Sequence, residues 1–218
     1  MIIGITGVSS IGKTLVAYEL QRLLGGTVMC ADLFQNHSQL PLSTGQAESR
    51  EYTSPKFLYG CSTKPIQRES FGRLLECAEK ELDNPIILDG LGVYYMPVVL
   101  SAGAIVYGLE FDNDLLEPLF ANRLDYAIEL GIVDEIKNCT DYKLRKLNFV
   151  TEFISRHLDG KYSLKDAKTL IVEYALVMSR GKTRELKEFG EKIKWLNHDP
   201  NKAKETALII YKEVKDIA

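Results

Sequence analysis

Residues 7–14 read Gly-Val-Ser-Ser-Ile-Gly-Lys-Thr. The pattern G-x-x-x-x-G-K-[ST] constrains the fold more than any other feature here, because it works only between a strand and a helix. Both neighbours comply. Met1–Thr6 is a short apolar run, and Leu15–Leu24 has helical spacing closed by Gly25-Gly26. Gly7 and Gly12 permit a tight turn, and the amides of Ser9, Ser10, Ile11 and Gly12 are then aimed at phosphate oxygens. Lys13 adds a point charge, Thr14 is placed to hold a magnesium ion, and the helix N-terminus contributes partial positive charge. The local chemistry is that of a polyphosphate cradle.

The rest of the first half extends the same architecture. Thr27–Ala31 is a second apolar run closed by Asp32, Pro85–Gly90 a third containing Asp89, and Ala104–Leu109 a fourth. Glu69–Leu82 repeats Phe71, Leu74, Leu75, Ala78 and Leu82 on one helical face. Alternating strand and helix predicts an α/β fold, a parallel sheet with crossover helices of the P-loop nucleotide-hydrolase type. Ligands of such sheets bind at the carboxyl ends of the strands, so Gly7, Asp32 and Asp89 should converge. Residues 35–68 are polar and interrupted by Pro41, Pro55 and Pro65, and are predicted to be long loops.

From Asp112 onward the spacing predicts helices at Leu115–Leu130, Val133–Ile136, Leu144–Leu158, Leu164–Met178 and Lys202–Val214, with Ser163 as a helix cap. No linker separates the halves. One domain over 1–218 is expected, an α/β core at 1–111 and a mainly helical part at 112–218 packed on it.

Net charge is -3, with both signs interspersed, which gives no overall footprint for nucleic acid but permits a local basic patch. The four cysteines have no C-x-x-C spacing, so zinc is not expected and a reducing, cytoplasmic setting is. No apolar run reaches membrane-spanning length, and no leader peptide is expected because the chain enters a strand at once.

Several side chains admit more than one role. Asp32 can ligate magnesium, act as a base or cap the next helix. Asp89 can support magnesium or serve as a turn residue before Gly90. Arg123 and Asp125 lie on a helix face. Arg180-Gly181-Lys182-Thr183-Arg184 reads as a basic helix end. His37, His157 and His198 are isolated, and Trp195 reads as core packing.

Taken in order, these fragments resemble the adenine dimethylallyltransferases, the tRNA-modifying and cytokinin-forming isopentenyltransferases. Asp32-Leu33-Phe34-Gln35 with Leu42-Ser43-Thr44-Gly45 resembles their D-S-x-Q-x-Y…I-G-T. Pro85 to Tyr94 resembles P-x-x-x-G-G-T-G-L-Y. Tyr107-Gly108-Leu109, then Arg123-Leu124-Asp125 and Gly131 to Ile136, resemble I-G-L…R-x-D-x-M-x-x-x-G-L-x-x-E-V. Tyr162–Ala167, Ser179–Lys182 and Trp195-Leu196 are similar to the later segments. The chain departs from the pattern at Ser9, His37, Asp89, Leu91 and Gly181. Only twelve residues lie between Tyr95 and Gly108, where the tRNA-modifying members carry a helical insertion. Members that prenylate free AMP lack it.

The resemblance implies transfer of a dimethylallyl group from dimethylallyl diphosphate to the exocyclic N6 of an adenine, in tRNA near the anticodon or in free AMP, with magnesium. It implies that Asp32 is the base, and that Lys13, Thr14 and Arg123 take part in catalysis. The loop residues, Thr44 and Arg180 would bind diphosphate. Asp32, Gln35, Gly90, Gly92 and Tyr94 would bind the acceptor, and Thr14 and Asp89 the metal. A tRNA acceptor would be gripped by Arg145, Lys146, Arg180, Lys182 and Arg184. Two other readings compete: a small ATP-using kinase with Arg180 and Arg184 on a lid, and a nucleotide-binding relative without turnover. No membrane or protein partner is implied.

Overall fold

The computed structural model of the chain describes residues 1–35, 39–45 and 66–217. His37, Cys61 and the prolines at 55 and 65 lie outside the described residues. Strands β1 (Ile2–Gly7), β2 (Thr27–Cys30), β3 (Ile86–Leu91), β4 (Ile105–Glu110) and β5 (Ile193–Asn197) form one sheet in the order β2-β3-β1-β4-β5. Every pairing is parallel. The first four strands fall within one residue of their predicted bounds.

Parallel strands need crossovers, and crossover helices bury both faces of the sheet. The period of two along each strand then serves two cores. Ile3, Ile5, Ile87 and Tyr107 face α1 (Lys13–Leu24) and α8 (Ala203–Val214). Ile2, Ile86, Leu88 and Val106 face α2 (Arg68–Glu81) and α3 (Met96–Ser101). A third core of Leu124, Ile136, Leu144, Ile154 and Ile171 joins α4 (Leu116–Glu129), α5 (Ile132–Asn138), α6 (Phe149–Leu158) and α7 (Leu164–Lys187).

The second half differs from its predicted outline in three places. The first is β5, which returns the chain to the sheet, so the part after Asp112 is not wholly helical. Its register sets Trp195 opposite Gly108. A Cβ on Gly108 would lie 2.6 Å from the indole, so only glycine admits the ring there. Trp195 is therefore a half-buried edge-strand residue, and the charged residues around it masked the strand.

The second difference is that 144–158 is two elements. A single turn at Leu144–Lys146 precedes α6. Asn148 breaks the run because its side chain accepts from Thr151 N (3.0 Å) while Thr151 Oγ1 accepts from Asn148 N (3.1 Å), a reciprocal cap. The third is that α7 continues past Met178 to Lys187, so Arg180–Arg184 lies inside a helix. Gly181 costs that helix about 1 kcal/mol relative to alanine, but Ser179 and Leu186 on either side are buried and hold it down. At its other end Ser163 caps α7, accepting from Asp166 N at 3.1 Å.

Candidate phosphate site

The loop of residues 7–14 leaves the central strand and enters α1, which begins at Lys13 behind Gly12 in a left-handed conformation (φ 80°). Ser10 is also left-handed (φ 66°), the one non-glycine residue so held among those described. Ile11 is buried, whereas Ser9 is exposed. Lys13 Nζ donates to the carbonyl of Val8 and so folds back over the loop.

Beside the loop, β3 carries a bulge. Gly4 and Thr6 of β1 pair with Leu88 and Leu91, so β3 spends one residue more over the same rise. Thr6 Oγ1 donates to Leu91 O (2.6 Å) and pins the irregularity. Bulges of this kind re-aim a side chain next to a site. Here the residue is Asp89, fully buried, whose Oδ2 accepts from Thr14 Oγ1 at 2.8 Å. Gly90 follows at φ 77°, and a Cβ there would come within 2.9 Å of the Asp32 Cβ. Asp32 thus sits directly over the bulge. Its Oδ1 accepts from Phe34 N (2.8 Å) and Gln35 N (3.2 Å), which orients the carboxylate. Residues 33–35 form a bend and turn, so the carboxylate holds a turn and does not cap a helix there.

Two lysines face these carboxylates. Lys13 is held down to about 7 by burial, then by the Lys182 ammonium, against the pull of Asp89 and Asp32. Lys182 is lowered as well, by burial, with Asp32 and Asp89 opposing. Lys182, half-buried, lies on the same helical stripe of α7 as the buried Ala175, Ser179 and Leu186. Arg180 is exposed, and two helical positions from Lys182 it points to the other side. The cation α7 brings to the loop is therefore Lys182 rather than Arg180. Continuing the helical period of Ala175 and Ser179 through Gly181 would have singled it out.

Arg123 reaches the loop from α4, its Nη1 donating to Ser10 Oγ at 3.1 Å. Its other end lies against Gly45, where a Cβ would meet Nη2 at 2.5 Å. Gln35 lies beside Gly45 and Cys30. The turn at 41–45 is clamped by α5: Leu42 N and Ser43 N donate to the two oxygens of Glu135 at 2.8 and 2.9 Å, and Ser43 Oγ adds a third bond at 2.6 Å. Thr44 is buried there with its hydroxyl donating to Leu40 O (2.8 Å). Gly92 and Tyr94 lie past β3, with Tyr94 under the Arg68 guanidinium (4.7 Å) at the start of α2.

On the opposite flank, along the ends of β1, β4 and β5, opens a cleft of about 410 Å³. Its lining is mixed: Val8, Leu109, Phe111, Leu186 and Trp195 supply apolar surface, and Glu110, Asp112, Thr183, Asn197 and His198 supply polar surface. Lys187, paired with Glu110, lies 4.4 Å over the Trp195 ring and ties α7 to this edge. Of the basic residues considered for tRNA, Lys146 is exposed and the others differ in setting. Lys182 turns inward, Arg145 donates to the carbonyls of Cys139 and Lys137 (2.8 Å each), and Arg180 and Arg184 remain exposed.

Among the described residues no group of three or more His, Cys, Asp or Glu is placed to hold a metal, and no helix is long and apolar enough to cross a membrane.

No protein-family model matches the chain. It is 24% identical over 128 residues to a tRNA dimethylallyltransferase of Acetivibrio thermocellus, covering 56% of this chain and 39% of that protein. A tRNA dimethylallyltransferase of Bradyrhizobium sp. is 28% identical over 134 residues, covering 54% and 44%. The matched segments thus span less than half of these relatives' own lengths. A tRNA isopentenylpyrophosphate transferase from Staphylococcus epidermidis superposes with a TM-score of 0.83 at 12% identity, over 100% of this chain and 99% of that one. The Bacillus halodurans transferase gives 0.76 at 17%, over 99% and 97%. The chain has the α/β fold of these transferases and resembles tRNA dimethylallyltransferases in sequence.

Proposed function

We propose that the chain transfers a dimethylallyl group from dimethylallyl diphosphate to the exocyclic N6 of an adenine, with tRNA as the acceptor. The observation that carries this reading is the seat of Asp32. A carboxylate oriented by two backbone amides stands over the β3 bulge, facing the lysine of a phosphate loop, with a cleft of mixed lining, including Leu109, Phe111, Leu186 and Trp195, on the loop's other flank.

The donor's diphosphate lies on the loop amides and Lys13, with Lys182 and Arg123 closing over it. Leu109, Phe111, Leu186 and Trp195 surround the dimethylallyl part. As the C1–O bond breaks, the electron pair goes to the diphosphate, and cations already in place stabilise it. The adenine N6 forms the new bond to C1, and Asp32 accepts the proton that N6 loses. Thr14 and Asp89 place two hard oxygens 2.8 Å apart, a donor set that suits magnesium completed by phosphate oxygens and water. Bound there, the ion would neutralise charge on the diphosphate.

The names of the similar proteins support tRNA as the acceptor. The connection between β3 and β4 holds only the short α3 and a turn at Gly103, so a tRNA must be met by other surfaces. The decisive test incubates the protein with labelled dimethylallyl diphosphate, magnesium and either tRNA or AMP. Label is expected in tRNA, and Asp32→Asn should lower transfer by roughly two orders of magnitude while leaving diphosphate binding near normal. Label in AMP alone would replace the acceptor, and label in neither would reject the reading.

A further inference from the structure

We propose that His198 is a positioning residue of the phosphate loop, a neutral imidazole that sets the direction of the Ile11–Gly12 peptide. The proposal rests on the reading of residues 7–14 as a diphosphate cradle, and concerns what holds that cradle in shape.

His198 follows β5 and is buried, 6% exposed. Its backbone N donates to Glu110 O (2.8 Å), continuing the β4–β5 ladder by one rung, so its Cα is fixed by the sheet. Its ring lies between two groups distant in sequence. Nε2 is 2.7 Å from Ile11 O, and Nδ1 is 2.8 Å from Thr206 Oγ1 on α8. A carbonyl oxygen can only accept, so Nε2 carries the hydrogen. In the neutral ring Nδ1 then accepts from the Thr206 hydroxyl, and both nitrogens are satisfied without a charge. Burial favours that neutral form and holds His198 below the ordinary imidazole value; the Ile11 hydrogen bond and Asp199 oppose it, and Lys13 adds to it.

The consequence for the loop follows from peptide geometry. In a trans peptide the C=O of one residue and the N–H of the next point in opposite directions. A hydrogen bond that fixes the Ile11 carbonyl toward His198 therefore aims the Gly12 amide away from it. The same stretch carries Ser10 at φ 66°, a conformation that persists in a non-glycine residue only when its surroundings over-determine it. Two long-range hydrogen bonds do so here: Arg123 on the Ser10 hydroxyl and His198 on the Ile11 carbonyl. A phenylalanine could fill the space but not donate. A glutamine could donate to Ile11 without the second anchor on Thr206.

Two measurements test this. On the wild-type protein, a long-range nitrogen–proton spectrum with labelled histidine should show His198 neutral with hydrogen on Nε2. The Nδ1–H tautomer would overturn the proposal, and this result needs no variant to fold. Binding of magnesium pyrophosphate is then compared well below the unfolding midpoint. His198→Phe should weaken it about tenfold, and His198→Gln, which keeps the donor, should recover most of the loss. Unchanged affinity in His198→Phe, or an equal loss in both variants, would overturn the proposal. Failure of the wild-type protein to bind pyrophosphate would instead overturn the diphosphate reading, and the tautomer would still decide whether His198 holds Ile11.

Discussion

The two sides of the candidate phosphate site are built in different ways. On one side, eight consecutive residues from Gly7 to Thr14 supply turn, amides, ammonium and hydroxyl. On the other, Asp32, Asp89, Arg123, Lys182 and His198 come from five separate places: the ends of β2 and β3, α4, α7 and the segment after β5. The first side is local chemistry that any strand–loop–helix could display. The second exists only because a parallel sheet brings strand ends together and because α7 and α8 pack across them. Loss of the loop's lysine removes the central charge of the site, whereas loss of any one distant group leaves the others in place.

That difference orders the expected effects. Lys13→Ala should be the most damaging change, lowering prenyl transfer by roughly two to three orders of magnitude, as loss of a central transition-state charge does elsewhere. A single-turnover assay with tRNA measures it. If the loss were under about tenfold, the contiguous side would not dominate. Lys182→Met should cost about tenfold to a hundredfold in the same assay, and Arg180→Met should be near neutral, because one faces the carboxylates and the other faces solvent. Equal losses would mean that both reach the ligand and that α7 turns on binding.

Glu135→Gln should act on stability rather than on the diphosphate. An amide cannot accept all three bonds that the carboxylate takes from Leu42 and Ser43. A loss of about 1–3 kcal/mol is expected by denaturant titration, with pyrophosphate affinity unchanged. A large fall in affinity would place the 41–45 turn on the diphosphate.

The smallest effect concerns pH. His198 titrates lower in the folded chain than its ordinary 6.5, so below that value the unfolded chain binds the extra proton. Stability should therefore rise with pH up to about 6.5 and be flat above it as far as this group is concerned. The groups facing the ring are Thr206 on α8, Asp199 beside it and Lys13 on the loop. The slope should be shallower in His198→Gln, and an unchanged slope would assign it to other groups.

The loop, the four strands of the first half and the aspartates at their ends were legible in the sequence because each is a short-range pattern. Continuous apolar runs marked the strands, turn residues and acids bounded them, and a motif of fixed spacing joined one to a helix. Gly7, Asp32 and Asp89 could be expected to converge because the carboxyl ends of strands in such sheets lie on one edge. The bulge that seats Asp32 over Gly90 could not, since it depends on the register between β1 and β3. β5 was hidden because an edge strand with one buried residue in five positions shows almost no alternation.

The sequence by itself determined the phosphate loop and the α/β class, because backbone sterics, glycine spacing and hydrophobic period act over a few residues. Only the tertiary structure decided which cation of Arg180–Arg184 turns inward, that Arg123 and Glu135 hold the two turns flanking the site, and that His198 has partners at all. A helix displays one face to its neighbour, and which face depends on the packing of Ser179 and Leu186. The ring of His198 meets Ile11 across a separation of 187 residues, a contact that no local pattern encodes and that the return of β5 to the sheet creates.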